Sequence, residues 1–171
     1  MRDKSVERLV LTAIMIGLTT VATMVITLPV VGTQGFINFG DVVIFVTSIL
    51  FGPQIALLAG GLGSALGDIL LGYAHWAPYT LVIKGLEGLV AGAFAYRMFS
   101  GGALKLGKGI LGLILAACVM IAGYYAAGGL MFGLNVALLS IPENAFQAFF
   151  SAAIAVPLTL ALSKVKMDIL K

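Results

Sequence analysis

Residues 39–72, FGDVVIFVTSILFGPQIALLAGGLGSALGDILLG, contain two acids and no lysine or arginine. At about 20 residues per transmembrane helix, the run is too long for one span and too short for two complete ones. Phe51-Gly52-Pro53 places a turn signal in its middle, dividing it into helices at about 41–51 and 54–71. The first of these cannot cross about 30 Å at about 1.5 Å per residue, so it is expected to start below the membrane surface. An even number of helices here is also what the basic residues demand. Nine of the ten lysines and arginines fall in three clusters: Arg2, Lys4 and Arg8; Arg97, Lys105 and Lys108; and Lys164, Lys166 and Lys171. Cytoplasmic loops carry the excess of Lys and Arg, which puts all three clusters on one face with an even number of spans between them. Runs at about 9–29 and 78–96 flank the central pair, and residues 109–131 and 143–163 follow on either side of the Pro142 break. The expectation is an all-α integral membrane protein with six transmembrane helices and both termini cytoplasmic.

Composition agrees. The chain has 171 residues, 61% apolar and only 10% charged, with a mean hydropathy of +1.13. A soluble domain carries roughly 45–50% apolar and about 25% charged residues. This excludes a soluble enzyme, a disordered chain and a disulfide scaffold, and it fits a single transmembrane domain over residues 1–171. Cys118 is the one cysteine, so neither an intrachain disulfide nor a cysteine metal site is expected. The formal charge of +3 matters less than where the basic residues sit. Met1 to Arg8 precede a run longer than a signal-peptide core, with no small-residue cleavage site, and are read as the start of a retained first helix.

This topology gathers the remaining polar groups toward the outside. The outer loops fall at about 30–40, 72–77 and 132–142. Asp41 opens helix 2 and Asp68 ends helix 3; Lys84 and Glu87 are placed in the outer half of helix 4. Tyr124 and Tyr125 lie in the outer half of helix 5, while Glu143, Asn144 and Gln147 open helix 6. Charges at membrane depth face a bundle interior or cavity. A conduction path needs polar groups along its whole length, whereas this pattern predicts a cup open to the outside and closed beneath.

Each candidate has a plainer explanation beside the functional one. Lys84 and Glu87, spaced i and i+3 on one face, form either a mutual ion pair or ligand contacts, and Asp68 is a further candidate partner for Lys84. Asn144 and Glu143 suit a helix start after Pro142, but capping does not account for Gln147 one turn further on. Carboxamides both donate and accept, which suits the edge of a heterocycle. Tyr73, His75, Trp76 and Tyr79 fit an interfacial aromatic belt, from which one or two, Trp76 among them, could stack on a planar ligand. The glycine-containing stretch 30–40 is read either as a lid, with Phe36, Ile37 and Phe39 dipping inward and Asn38 facing the ligand, or as an interfacial extension of helix 2. Small residues four apart recur at Ala13/Gly17, Gly63/Gly67 and Gly88/Gly92. Most are expected to pack helices together, while Ala13/Gly17, near the cytoplasmic end of helix 1, could receive a partner membrane protein.

Two patterns are decoys. Gly102 to Lys108 matches GxxxxGK, but Gly109 replaces the Ser or Thr and no strand precedes it. The run Gly60-Gly61-Leu62-Gly63 lies within an apolar helix. A lone His75 gives no metal site, no catalytic motif is present, and no nucleic-acid partner is expected.

The stretches Asn38-Phe39-Gly40-Asp41, Leu50-Phe51-Gly52-Pro53, Gly60-Gly61 to Asp68, Gly72-Tyr73, Ala77-Pro78-Tyr79-Thr80, Ile83-Lys84-Gly85-Leu86-Glu87-Gly88 and Asn144-x-x-Gln147 resemble the S components of energy-coupling factor (ECF) vitamin transporters. The likeness covers about residues 10–160 and is greatest to the subfamily assigned to hydroxymethylpyrimidine, a thiamine precursor, or pyridoxine-like compounds. It implies a prokaryotic plasma-membrane protein that binds a vitamin in an outward-facing pocket built from helices 4–6 and the loop after helix 1. It also implies association with a transmembrane T component and, through it, two cytoplasmic ATPases. ATP is then used by the partners, and no cofactor or ATPase site is expected in this chain. The implied substrate-binding set is Asn38, Trp76, Lys84, Glu87, Tyr124, Asn144 and Gln147. The family's AxxxA patch on helix 1, which meets the T component, corresponds to Ala13 and Gly17. Alternatives are an S component for another vitamin such as riboflavin, a membrane-embedded enzyme using Asp68, Glu87 or Glu143, and a pore-forming protein.

Overall fold

The computed structural model describes residues 4–30, 35–100 and 102–169. Helix α1 (Lys4–Val25) leads into a hairpin of β1 (Thr27–Val30) and β2 (Gly35–Asn38). It is followed by α2 (Gly40–Phe51), α3 (Pro53–Leu70), α4 (Ala77–Ala95), α5 (Gly102–Phe132), the short α6 (Leu134–Ala137) and α7 (Ser140–Ile169). Six long helices lie among the described residues close to the expected runs, except that α1 starts and ends several residues earlier, giving up residues 27–29 to a strand, α5 starts earlier, and α7 starts earlier and ends later. Lys105 and Lys108 ride on the first turns of α5 instead of forming a loop.

Among the described residues, four helical segments are long and apolar enough to cross a membrane: Ser5–Val25, Pro53–Leu70, Gly102–Phe132 and Leu134–Ser163. The other two long helices depart for identifiable reasons. With 12 residues, α2 extends only about 18 Å, and α4 carries Lys84 and Glu87 inside it.

The stretch after α1 is neither a simple loop nor an extension of α2, which corrects the purely helical expectation. It is an antiparallel hairpin pairing Thr27 with Asn38, Leu28 with Ile37, Pro29 with Phe36 and Val30 with Gly35. Threonine, valine, isoleucine and phenylalanine favour the pleat, and paired strands satisfy backbone groups that lipid would leave bare. Part of the expected lid, residues 31–34 with Gly32, lies outside the described residues.

Nearly every face of α2 is buried, Asp41, Ile44, Phe45, Thr47 and Ser48 included, because α1, α3, α4 and α7 surround it. An evenly apolar helix belongs in such a place. The turn to α3 runs through Gly52 at φ +89°, a conformation that glycine adopts without strain. Helices α3 and α4 then lie nearly backbone to backbone. A Cβ on Gly60 would stand 2.5 Å from the Lys84 carbonyl oxygen, and one on Gly92 would stand 2.5 Å from Pro53 Cα. Gly63 and Gly67 meet Thr19 and Thr23 of α1 in the same manner. Ala13 and Gly17 differ: both are exposed, and a Cβ at Gly17 would meet nothing within 4 Å.

The bundle has two distinct ends. At one, Arg8 Nη2 donates to Gln54 Oε1 at 2.5 Å and the Arg97 N–H donates to the Ile49 carbonyl at 2.9 Å; Lys105 and Lys108 lie on the adjoining first turns of α5. At the other end stand the hairpin, the end of α3 and the starts of α4 and α7. Lys84 and Glu87 flank the midpoint of α4, deeper than the outer-half placement expected of them. Buried hydroxyls elsewhere turn back on their own helices: those of Thr19, Thr47, Ser48 and Thr159 donate to carbonyls four residues earlier at 2.6–2.8 Å.

Candidate functional site

A cavity opens at the end opposite the basic residues. Its wall is made by Phe36 and Asn38 of β2, Asp68 of α3, Trp76 and Thr80 at the start of α4, and Tyr124, Gly128 and Phe132 of α5. Val136 and Ala137 of α6 and Ser140, Glu143, Asn144 and Gln147 of α7 complete it. The space open to the centre of a water molecule is about 50 Å³. One water needs about 10–15 Å³ by that measure, so the cavity suits a small ring rather than an extended molecule.

Its walls divide by chemistry. Trp76 is 7% exposed, with ring centroids 5.8 Å from both Tyr124 and Phe132. Pro78 sits in the first turn of α4, where its missing N–H costs no helical bond, and this starts the helix with Trp76 just before it. Phe36 of the hairpin reaches over to Tyr73, centroids 4.8 Å apart. The polar side comes chiefly from α7, where Asn144 Nδ2 donates to the Ser140 carbonyl at 2.8 Å. That bond uses one amide hydrogen of Asn144, whose side chain lines the cavity. The Tyr124 hydroxyl donates to Thr80 Oγ1 at 3.2 Å.

Behind Tyr124 and Gln147 lies a closed charge cluster. Lys84 Nζ is 2.5 Å from Asp41 Oδ1 and 3.0 Å from Glu87 Oε2, with all three side chains at most 2% exposed. It also lies 5.6 Å from the centre of the Tyr124 ring. Gln147 ties this cluster to the hairpin: its Nε2 donates to Asp41 Oδ2 at 2.8 Å, and its Oε1 accepts the Asn38 N–H at 2.9 Å. Asn38 Oδ1 in turn accepts the Gly40 N–H at 2.9 Å, fixing the step from β2 into α2.

Five of the seven sequence-predicted binding residues therefore meet at one cavity: Asn38, Trp76, Tyr124, Asn144 and Gln147. Lys84 and Glu87 are not on its wall. They take the mutual ion pair, completed by Asp41 instead of Asp68, because an isolated charge at this depth is costly and three neighbouring groups offset one another. Gln147 reaches the wall with both ends of its carboxamide already engaged. Phe36, one of the apolar residues read as part of a lid, and Asp68, read as a candidate partner for Lys84, also line it, and Thr80, Phe132 and Ser140 join them without having been chosen from sequence. Tyr73 and His75 stay at the rim, with His75 exposed.

An apolar helical bundle with a small, mixed aromatic and polar cavity near its end has the form of a membrane protein with room for a small molecule. The chain belongs to the ECF-type riboflavin transporter S component family, which matches residues 3–164. It is accordingly a multi-pass plasma-membrane protein and a transport component, not an enzyme. It is 30% identical over 156 residues to the thiamine precursor transporter HmpT of Lactococcus lactis, covering 91% of this chain and 87% of that one. An uncharacterised protein of Pyrococcus woesei is 40% identical over 129 residues, or 75% of this chain and 83% of its own length. A UPF0397 protein of Streptococcus pneumoniae shares 49% identity over 47 residues, 28% of this chain and 25% of that one.

Proposed function

We propose that this chain is the vitamin-binding subunit of an ECF importer and that its ligand is a single-ring nitrogen heterocycle of the hydroxymethylpyrimidine or pyridoxine type. The observation that carries this is the cavity: Trp76, Phe36 and Phe132 offer flat apolar walls, and Asn144 supplies polar recognition, within about 50 Å³. Pockets for small ligands combine apolar walls with a few placed polar groups in this way. The likeness to a thiamine precursor transporter supports the same ligand class. Riboflavin, named in the family description, is larger, with a tricyclic ring and a sugar-like tail, and is the competing ligand.

The basic end is read as cytoplasmic by the Lys and Arg excess, which sets both termini inside and turns the cavity outward. The exposed Ala13/Gly17 face of α1 offers a T component a flat approach, and two ATPases acting through that component supply the energy. Of the acids an enzyme would use, Glu87 is held by Lys84 while Asp68 and Glu143 line the cavity, and the membership of a transporter family favours binding over catalysis there. A pore is disfavoured because the polar cavity is backed by a sealed charge cluster.

Titration calorimetry of the purified protein with hydroxymethylpyrimidine, pyridoxine and riboflavin tests the ligand. Submicromolar binding of a single-ring compound, weakened about tenfold in Asn144→Ala through the loss of about one hydrogen bond, is the expected result. Heat from riboflavin alone, or from none of the three, overturns the ligand class.

A further inference from the structure

We infer that Asp68 is the selectivity residue of the cavity, accepting an N–H donor carried on the edge of the ligand's ring, and that the site is therefore built for an amino-substituted heterocycle. The inference rests on the cavity being the vitamin site and adds which chemical face of the ligand is read.

Asp68 is 5% exposed and stands on the cavity wall. Its Oδ2 is shielded from solvent and has no hydrogen-bond partner among the described residues. A buried oxygen without a donor is costly, and polar groups left open at a binding wall are what a matching ligand satisfies. Thr80, whose hydroxyl accepts from Tyr124 at 3.2 Å, lines the same wall as Asp68. Asp68 thus brings to this wall a carboxylate oxygen that no described protein group satisfies.

The cavity has no competing cation. Among the described residues that line it there is no lysine, arginine or histidine, while Asp68 and Glu143 are both acids. The nearest cationic side chain behind that wall, Lys84, is engaged by Asp41 and Glu87. Such a site favours donors and rejects anions. A ring bearing an exocyclic amino group beside Trp76 supplies the donor and the flat face together.

The test compares 4-amino-5-hydroxymethyl-2-methylpyrimidine with its counterpart carrying hydrogen in place of the 4-amino group, on wild-type protein, Asp68→Asn, Asp68→Ala and Glu143→Gln. A hydrogen bond to a charged acceptor makes the wild type prefer the amino compound by about tenfold to hundredfold. The preference falls to within about threefold in Asp68→Ala, falls partway in Asp68→Asn and persists in Glu143→Gln. Should Asp68→Ala not fold, Asp68→Asn, which keeps the shape, decides alone by losing at least threefold of the preference. Equal binding of the two compounds by the wild type, or a preference that Glu143→Gln erases and Asp68→Asn keeps, overturns the assignment while leaving the vitamin site standing. Binding of neither compound removes both.

Discussion

Replacing Gln147 by leucine keeps the bulk of the side chain and removes both bonds that join the hairpin to the charge cluster. The bond accepted from the Asn38 N–H at 2.9 Å is neutral and worth about 1 kcal/mol. The bond donated to Asp41 at 2.8 Å is charge-assisted and worth about 1.5–3 kcal/mol. Together they come to about 3 kcal/mol, or about a hundredfold in the equilibrium between a seated and a lifted hairpin. Trp76 is the one tryptophan of the chain and stands in the cavity wall, so its fluorescence reports ligand release unmixed with other indoles. In Gln147→Leu, stopped-flow dissociation is expected to quicken by up to about a hundredfold, with a smaller change in association. Amide exchange at Asn38, read without any ligand, is expected to quicken by a similar factor. Asn38 exchange within threefold of wild type would refute the idea that Gln147 holds the hairpin down, whatever the ligand proves to be.

Lys84→Met leaves two buried acids without their cation and is expected to destabilise the fold by about 3–5 kcal/mol, seen as a lower Tm in detergent; adding Glu87→Gln recovers part of the loss. At Gly92, alanine would collide with Pro53 Cα at 2.5 Å and is expected to cost about 1–3 kcal/mol, whereas Gly17→Ala, with open space around it, is expected to leave the Tm within about 2 °C of wild type. Gly17→Trp is expected to keep ligand affinity while abolishing co-purification with the T component; recovery of the intact complex would move the docking face elsewhere.

The helices were legible because lipid imposes a plain rule: long apolar runs, broken at Gly-Pro and Pro142, with Lys and Arg at one end. The hairpin was not. Its two four-residue strands are too short to show alternation, and the glycines of this stretch read in the sequence as a loop. At the site, Trp76, Asn144 and Tyr124 stood out as polar or aromatic groups in an apolar chain. The partner of Lys84 did not, since Asp41 lies 43 residues away and Asp68 was chemically as good a candidate. Only the packing of α2 between α4 and α7 separates the two acids, giving Asp41 to the lysine and Asp68 to the cavity.

Because α2 is walled off by its neighbours, hydrocarbon tails never touch most of its surface, and bilayer thickness places no demand on its length. It can stop one or two turns short of the membrane surface, and the vacant headroom is where the strand pair settles. The truncated post leaves the hollow to be walled by the strand pair and the taller helices around it.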